Sequence, residues 1–313
     1  MKPNSNETLL PSSLRREAVA AVIVRRLCAE QDRLRSAWKS ASPFAHIVID
    51  DLLPAEVARE FHARLPPPEQ LLTRSSLRQR KRVGVELERY DPAVSELLFA
   101  FQHHEVVQWI EQITGLVELA PDASLYASGL SVIAEGGFLN PHLDNSHDGE
   151  QSKYRALNLL YYLSPGWLPD HGGNLELWDK SVRHPTAVLS AFNRLVLMKT
   201  DRCAWHSVTR VASRQPRWCA SNYYFSSRPP ADTPYRHVTT FAGRPEEKGK
   251  RLLLALDGLA VNVVGKMFPA LVRRNKHRRS TDAAHPNSEA RRYGCDRSLP
   301  DDTSAPNDPE PGR

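Results

Sequence analysis

Three residues have the types and spacing needed to hold a metal ion together. His142 and Asp144 are separated by one residue, and His206 lies 62 residues beyond Asp144. Alternate side chains of an extended strand point to one face, so a strand here would present His142 and Asp144 side by side. A histidine so distant in sequence can join them where a sheet folds back on itself. Two imidazoles and one carboxylate leave coordination positions open, and this donor set suits non-haem Fe(II).

The His-x-Asp pair is a weak signal when it is taken alone. The chain contains 12 His and 36 Asp plus Glu, so such pairs also arise by chance. The assignment therefore depends on whether the surrounding sequence predicts a sheet that brings the three side chains onto one wall.

The composition is typical of an ordinary globular protein of 313 residues, with 41% hydrophobic and 25% charged residues. The net charge of +6 is a mild excess that does not by itself indicate nucleic-acid binding. The four cysteines form no CxxC pair, which favours free thiols in a reducing cytoplasm. The polar N-terminus predicts no signal peptide, and no apolar run reaches the roughly 18 residues of a membrane span.

The first part of the chain, residues 1–42, predicts a polar start and then an amphipathic helix that Ser13 could cap. Packing of this helix on the body of the same chain is favoured over a partner-binding arm. A short strand over residues 46–50 and another helix follow. A further helix is predicted over residues 93–114 and ends at Gly115.

Residues 69–92 form a polar and basic stretch. This pattern favours a solvated surface, and a substrate-facing loop is the alternative. The cationic side chains of the stretch include Arg74, Arg78, Arg80, Lys81 and Arg82.

From residue 124 onward the sequence is strand-like. Short runs of strand-forming residues alternate with Gly and Pro turns, and residues 155–163 are apolar enough for a strand buried on both faces. The pattern predicts a β-sandwich or a jelly-roll barrel. The predicted strand segments are 125–127, 130–133, 138–145, 155–163, 174–178, 187–189, 194–198 and 218–225.

The order of these features resembles the 2-oxoglutarate- and Fe(II)-dependent dioxygenases, and most closely their bacterial prolyl 4-hydroxylase-like branch. The resemblance covers about residues 43–228. It implies a double-stranded β-helix (jelly-roll) core. With the helical patterns before and after that core, the predicted fold class is α+β, with N-terminal helices and a C-terminal helical extension. The segments that carry it are 43–50, 136–145, 155–163, 167–177, 193–196, 206–208 and 217–220.

With this resemblance the chain divides into four predicted segments. Residues 1–42 are the polar start and helix, and residues 43–230 are the dioxygenase domain. Residues 231–279 are a helical basic extension, and residues 280–313 are a disordered tail. A helix in 252–279 that packs on the barrel is favoured over one that rests on an anionic membrane surface.

The resemblance implies that His142, Asp144 and His206 bind Fe(2+), with 2-oxoglutarate as cosubstrate, O2 as oxidant and ascorbate as reductant. The cosubstrate is a dianion whose far carboxylate needs a cation inside the barrel. Arg217 is the favoured residue because its planar fork can hold a carboxylate with two hydrogen bonds. Arg214 is the rival candidate.

Three residues of one strand face would line the same pocket. Asn158, Leu160 and Tyr162 alternate along the predicted strand and so point the same way. The resemblance implies that Tyr162 donates a hydrogen bond to the cosubstrate carboxylate, although a plain core role is equally compatible with the sequence. Related enzymes often carry a tyrosine where this chain has Ile133. The missing contact is either absent here or supplied by Tyr126 or Ser131.

The function implied is hydroxylation of an unactivated C–H bond, in a peptidyl or free proline, by an oxidoreductase of the dioxygenase class. Because fold and cofactor residues do not fix a substrate, a small biosynthetic intermediate is the first alternative. A non-catalytic, zinc-binding, cupin-like module is the second, since the same donors suit zinc. A membrane or nucleic-acid adaptor that uses the basic C-terminus is the weakest. The predicted partner is a small-molecule or peptide substrate, with no nucleic acid.

Overall fold

The computed structural model describes residues 10–84, 86–126, 128–231, 233–249, 251 and 253–254. Five helices lie between residues 16 and 114 and pack as a layer on one face of the sheet. They are α1 (Arg16–Ala29), α2 (Gln31–Ser40), α3 (Ala55–Ala63), α4 (Pro92–Ala100) and α5 (His104–Thr114). Short 3₁₀ turns occur at Ser12–Leu14, Pro68–Gln70, Leu87–Arg89 and Pro169–His171.

The described residues form a set of strands, and the central ones are buried at nearly every position. They are β1 (His46–Ile49), β2 (Leu72–Ser75), β3 (Gln79–Gly84), β4 (Ala120–Pro121), β5 (Gly129–Ile133), β6 (Phe138–Leu143), β7 (Tyr154–Tyr162), β8 (Leu175–Trp178), β9 (Pro185–Val188), β10 (Leu195–Lys199), β11 (His206–Val208), β12 (Arg217–Ser226) and β13 (Thr240–Phe241).

All of these strands belong to one antiparallel sheet, in which ten follow the order β1-β10-β7-β12-β5-β3-β6-β11-β8-β9. The other three pair at its margins, β2 with β3, β4 with β12 and β13 with β6. The sheet is curled, because side chains from its two ends meet in one apolar cluster. Val196 and Met198 of β10 pack there with Leu175 and Leu177 of β8. This half-barrel with its helical layer confirms the predicted α+β jelly-roll fold.

Strand β7 shows how the two faces of the sheet are used. Leu159 and Tyr161 belong to the large core under the helices, whereas Leu160 and Tyr162 belong to the cluster inside the half-barrel. Apolar residues are therefore needed at successive positions, as in any strand covered on both faces. The expectation that this strand is buried on both faces is confirmed.

Two predictions about the helices need correction. Ser13 does not cap α1, since it lies in the preceding 3₁₀ turn and Arg15 holds the capping position without a side-chain hydrogen bond. The helix predicted over 93–114 is two helices, α4 and α5, separated by a break at residues 101–103. Phe101 at this break is fully buried, and its carbonyl accepts a hydrogen bond of 2.7 Å from the Tyr224 hydroxyl. The predicted end at Gly115 is confirmed, with a left-handed φ of +72°.

The basic stretch 69–92 is exposed over much of its length, as the sequence predicts, but it is not a loop throughout. Residues 72–75 and 79–84 form the hairpin β2–β3, and β3 pairs with both β5 and β6. The sequence signal failed because charged residues occupy both faces of β3, so the alternation of polar and apolar residues that marks a strand is missing.

The region after residue 230 is only partly described. Residues 233–247 are non-helical apart from turns, and β13 pairs with β6 in this segment. Most of the predicted helical extension, the basic cluster at 273–279 and the predicted tail at 280–313 lie outside the described residues. The four domain boundaries remain predictions. No helix among the described residues is long and apolar enough to cross a membrane.

Candidate metal centre and cosubstrate pocket

Two neighbouring strands and one loop bring the three candidate ligands together. His142 on β6 is directly opposite His206 on β11, and Asp144 follows at the end of β6. The donor atoms of the three side chains all lie within 4.8 Å of one another. The sheet thus folds back as the sequence predicts, and the distant histidine joins the local pair.

The arrangement is close enough for one ion to contact all three residues. Asp144 Oδ1 lies 3.7 Å from His142 Nε2, and Asp144 Oδ2 lies 3.7 Å from His206 Nε2. All three side chains are largely buried, with exposed fractions of 7%, 15% and 8% for His142, Asp144 and His206. The described residues contain no other such group of His, Cys, Asp and Glu.

Backbone hydrogen bonds fix which nitrogen of each histidine faces the centre. Nδ1 of His142 lies 3.0 Å from the carbonyl of Asn140, and Nδ1 of His206 lies 3.0 Å from the carbonyl of Ala204. A carbonyl only accepts, so Nδ1 carries the proton in each ring and Nε2 keeps its lone pair. This is the outer hydrogen bond that orients a metal-binding imidazole.

The electrostatics keep the histidines neutral and the carboxylate ionised. Burial lowers the pKa of His142 to about 3 and also lowers the pKa of His206. Burial alone would raise the pKa of Asp144, but Arg155 and the two histidines hold that pKa well below its usual range. Neutral imidazoles and an ionised carboxylate are the protonation states that a metal ion requires.

Two side chains, Asn158 and Arg155, hold the Asp144 carboxylate in an orientation that faces the two histidines. Asn158 Nδ2 donates to Asp144 Oδ2 at 2.6 Å, and Arg155 Nη1 lies 3.3 Å from the same oxygen. The Arg155 guanidinium is buried over the ring of Tyr223, 4.2 Å from its centroid. Asn158 was predicted to line the cosubstrate pocket. It contacts the candidate metal ligand, and its role toward the cosubstrate stays a prediction.

The segment after β12 covers the centre from outside. His237 Nε2 lies 2.7 Å from the backbone carbonyl of Asp144. The Phe241 ring stacks on His142 at a centroid distance of 5.3 Å and an angle of 18°. We call residues 233–243 the strap. It continues into Arg244, whose guanidinium binds Glu176 with two contacts of 2.6 and 3.0 Å.

Arg217 lies at the start of β12 and points into the half-barrel. It is only 3% exposed, its Nε donates to the Ser190 hydroxyl at 3.0 Å, and its guanidinium lies 4.8 Å from the Tyr162 ring centroid. No carboxylate among the described residues pairs with it. Gly173, at φ +64°, allows this approach, since a Cβ there would lie 2.9 Å from Arg217 Cδ.

The rival Arg214 is an exposed residue of the loop before β12. Tyr162 is fully buried, and its hydroxyl makes no hydrogen bond of ordinary geometry with a described residue. Burial raises the pKa of Tyr162 to about 12, so the phenol stays protonated and can donate. Leu160 packs in the same interior cluster. The positions therefore match the predicted pocket for Arg217, Tyr162 and Leu160, while their roles stay predictions.

Ser131 and Tyr126, the residues predicted to supply the polar contact near Ile133, keep that role as a prediction. Ile133 packs in an apolar cluster with Trp167 and Val211. The Ser131 hydroxyl donates to the Cys219 carbonyl at 3.4 Å, and Tyr126 lies in the loop before β5.

The donor set fits a divalent ion of the first transition row. Two imidazole nitrogens with free lone pairs and one ionised carboxylate face a common point, and their outer atoms are already hydrogen-bonded. The two histidines and one carboxylate leave positions for further ligands, which suits Fe(II) and also zinc. Arg217 adds a second binding group, because its guanidinium can hold the far carboxylate of a diacid whose other end binds the metal.

Four residues near the site were missed from the sequence. His237 and Phe241 lie beyond the range of the family resemblance. Arg155 faces inward because a bulge in β7 places it opposite Phe225, out of step with simple alternation. Lys81 lies on the basic strand β3, where no apolar alternation revealed which side chains face inward.

Comparison with known proteins agrees with this geometry. Residues 128–225 match the model of the 2OG-Fe(II) oxygenase superfamily. Prolyl 3-hydroxylase OGFOD1 of Mus musculus is 23% identical over 239 residues, a match that covers 68% of this chain and 40% of that protein. The chain therefore spans well under half the length of this relative.

Solved structures of prolyl hydroxylases are also similar to this chain. A Pseudomonas putida prolyl-4-hydroxylase is 19% identical, with coverage of 62% of this chain and 98% of that one and a TM-score of 0.47. A Phytophthora capsici prolyl 4-hydroxylase is 18% identical, with coverage of 83% and 82% and a TM-score of 0.49. The family match spans the triad, Arg217 and Tyr162, so the part of the chain that holds the candidate site is similar to the 2OG-Fe(II) oxygenase superfamily.

Proposed function

We propose that this protein is a 2-oxoglutarate- and Fe(II)-dependent dioxygenase that hydroxylates an unactivated C–H bond. The observation that carries the proposal is the buried Arg217 guanidinium, which has no carboxylate partner among the described residues and shares the half-barrel interior with the triad. A buried cation without a counter-charge is costly. A diacid that reaches from the metal to Arg217 would supply that counter-charge.

In this function His142, Asp144 and His206 hold the metal, and Arg217 holds the far carboxylate of 2-oxoglutarate with Tyr162 as a second donor. A bound metal would supply the oxidative chemistry, in which one oxygen atom of O2 converts 2-oxoglutarate to succinate and carbon dioxide and the other enters the substrate C–H bond as a hydroxyl group. The chain's own task is to orient the cosubstrate and exclude water. The apolar side chains of Leu160, Leu175 and Leu177 close the interior around the pocket.

The substrate we favour is a prolyl residue of a peptide or free proline. The support is the family resemblance and the similarity to a prolyl 3-hydroxylase. A small biosynthetic intermediate is the alternative, because the residues that hold metal and cosubstrate do not select the substrate. Three described cysteines, Cys28, Cys203 and Cys219, are free thiols, which supports the proposed cytoplasmic location.

The zinc-binding, cupin-like module remains the competing function. The same three ligands suit zinc, but such a module has no use for an unpaired guanidinium buried beside them. Arg217 therefore favours the dioxygenase.

The test is anaerobic loading of the purified protein with Fe(II), followed by 2-oxoglutarate. We expect a visible metal-to-ligand charge-transfer absorption in the wild type and none in His206→Ala. On admission of O2, proline, proline-containing peptides and small metabolites are then compared for coupled succinate release. A protein that binds Fe(II) but shows neither the absorption nor 2-oxoglutarate consumption would exclude the dioxygenase function.

A further inference from the structure

Strand β3 places one cation, Lys81, inside the half-barrel. The β3–β5 register pairs Arg82 with Val132 and Val83 with Ser131. If this antiparallel register is continued by one residue, Lys81 falls opposite Ile133. Ile133 in turn pairs with Arg217 on β12. Lys81, Ile133 and Arg217 therefore form a row across three adjacent strands.

The side chains of this row point to the same face. Gly84, on the other face of β3, approaches Tyr90 and Leu71 in the outer part of the core. Alternation along the strand then turns Lys81 and Val83 toward the interior. Neighbouring strands are about 4.8 Å apart, so the two ends of the row are about 10 Å apart at the backbone. Two long cationic side chains can converge across that distance.

The charged groups that act on Lys81 belong to both ends of the pocket. Burial is the main cause that lowers the pKa of Lys81, and the charges it senses include Asp144 at the metal end and Arg217 at the far end. Cys219 and Arg74 complete the set of charged or titratable neighbours. The residue remains partly accessible, as expected for a side chain that lines an open cavity.

No described residue neutralises this amine by direct contact. Lys81 makes no ion pair or hydrogen bond with any part of the chain that the structure describes. Asp144, the acidic residue it senses, is already engaged by Asn158 and Arg155. Ile133, which lies between the two cations, offers no polar atom. The interior thus holds two cations that lack an anionic partner, on one wall.

We infer that Lys81 and Arg217 form a two-cation clamp for the distal carboxylate of the keto-acid cosubstrate. This inference rests on the proposed function and adds a cosubstrate-binding residue to it. Arg217 holds the carboxylate from β12, and the Lys81 ammonium reaches it across Ile133 from β3. Lys81 would thus supply a polar contact beside Ile133, the position at which related enzymes often carry a tyrosine.

The test compares two keto acids that differ only at the far end. Binding of 2-oxoglutarate and of 2-oxovalerate, which lacks the distal carboxylate, is measured by calorimetry on the full chain loaded with Ni(II), so no turnover occurs. The variants are Lys81→Met, which removes the charge, and Lys81→Arg, which keeps it. Arg80→Met is the matched control, because this neighbouring cation is exposed and donates to the Glu135 carbonyl. If Lys81→Met is insoluble, Lys81→Gln replaces it.

We expect Lys81→Met to weaken 2-oxoglutarate binding about tenfold, the usual scale of one charge-assisted contact. Binding of 2-oxovalerate should not change, and Lys81→Arg should restore most of the affinity. Unchanged 2-oxoglutarate binding, or an equal loss for both keto acids, would overturn the clamp and leave the proposed function standing. A wild-type protein that binds Ni(II) but not 2-oxoglutarate would overturn the proposed function together with the clamp.

Discussion

Asn158 donates a 2.6 Å hydrogen bond to Asp144, so a residue expected to line the cosubstrate pocket also holds a candidate metal ligand. The amide engages Oδ2, while Oδ1 faces His142. Arg155 contacts the same Oδ2 from the other side. The orientation of the carboxylate is thus set by two side chains of β7.

The Asn158→Leu variant tests this relationship. It keeps the side-chain size but removes the donor, so the Asp144 carboxylate can rotate. We expect metal affinity to fall about tenfold to a hundredfold, the usual effect of losing an outer hydrogen bond of a metal ligand. Binding of Ni(II) is measured by calorimetry, with Leu160→Ala on the same strand face as the control. A variant with normal metal affinity but weakened 2-oxoglutarate binding would return Asn158 to its predicted role.

The strap gives a second prediction. Phe241 stacks on His142 and His237 holds the Asp144 carbonyl, so both stabilise the ligand geometry without touching the metal. We expect Phe241→Ala to speed metal release and lower affinity about tenfold, as for other outer contacts. The release rate is followed by chelator competition. Arg236→Ala is the control, since this exposed strap residue contacts Gln151. Equal behaviour of the two variants would show that the strap does not support the centre.

The sequence predicted the parts of the site that obey a local rule. His142 and Asp144 share a strand face through simple alternation, and the apolar run at residues 155–163 correctly indicated a strand covered on both sides. The jelly roll followed from short strands separated by Gly and Pro turns. The pairing of β6 with β11 then brings His206 to the other two ligands.

What could not be predicted depends on departures from those rules or on long-range contacts. A bulge in β7 turns Arg155 inward, and no local pattern marks a bulge. Charged residues on both faces of β3 hid the inward direction of Lys81. The contact between Phe241 and His142 joins residues 99 positions apart by way of a two-residue strand, which is too short to leave a periodic signal.

The two arginines near the start of β12 should behave differently. Arg217 is buried beside Tyr162, whereas Arg214 is exposed in the preceding loop. A buried charge-assisted contact contributes roughly 1.5–3 kcal/mol, so Arg217→Ala should raise the apparent KM for 2-oxoglutarate about tenfold to a hundredfold. Arg214→Ala should change it less than about twofold, because surface charges contribute little. Steady-state succinate formation measures both, and the reverse order would move the carboxylate site to Arg214.

The buried histidines predict an acid-sensitive metal-free protein. Their folded-state pKa values lie below the unfolded value of about 6.5, so below that pH the unfolded chain binds more protons than the folded one. The free energy of unfolding should therefore decrease as the pH falls from 7 to 5, by up to about 1.4 kcal/mol per pH unit for each such histidine. Asp144 adds little in this window, because its carboxyl is ionised in both states.

Urea titrations of the metal-free protein at several pH values measure this slope. The double variant His142→Gln with His206→Gln should flatten it without removing it, since burial also lowers the pKa of His62, His147 and His237. Bound Ni(II) should raise the stability at each pH, because the ion binds the folded state. A slope that the double variant leaves unchanged would mean that the two rings are protonated in the folded protein, a state in which Nε2 has no lone pair to offer a metal.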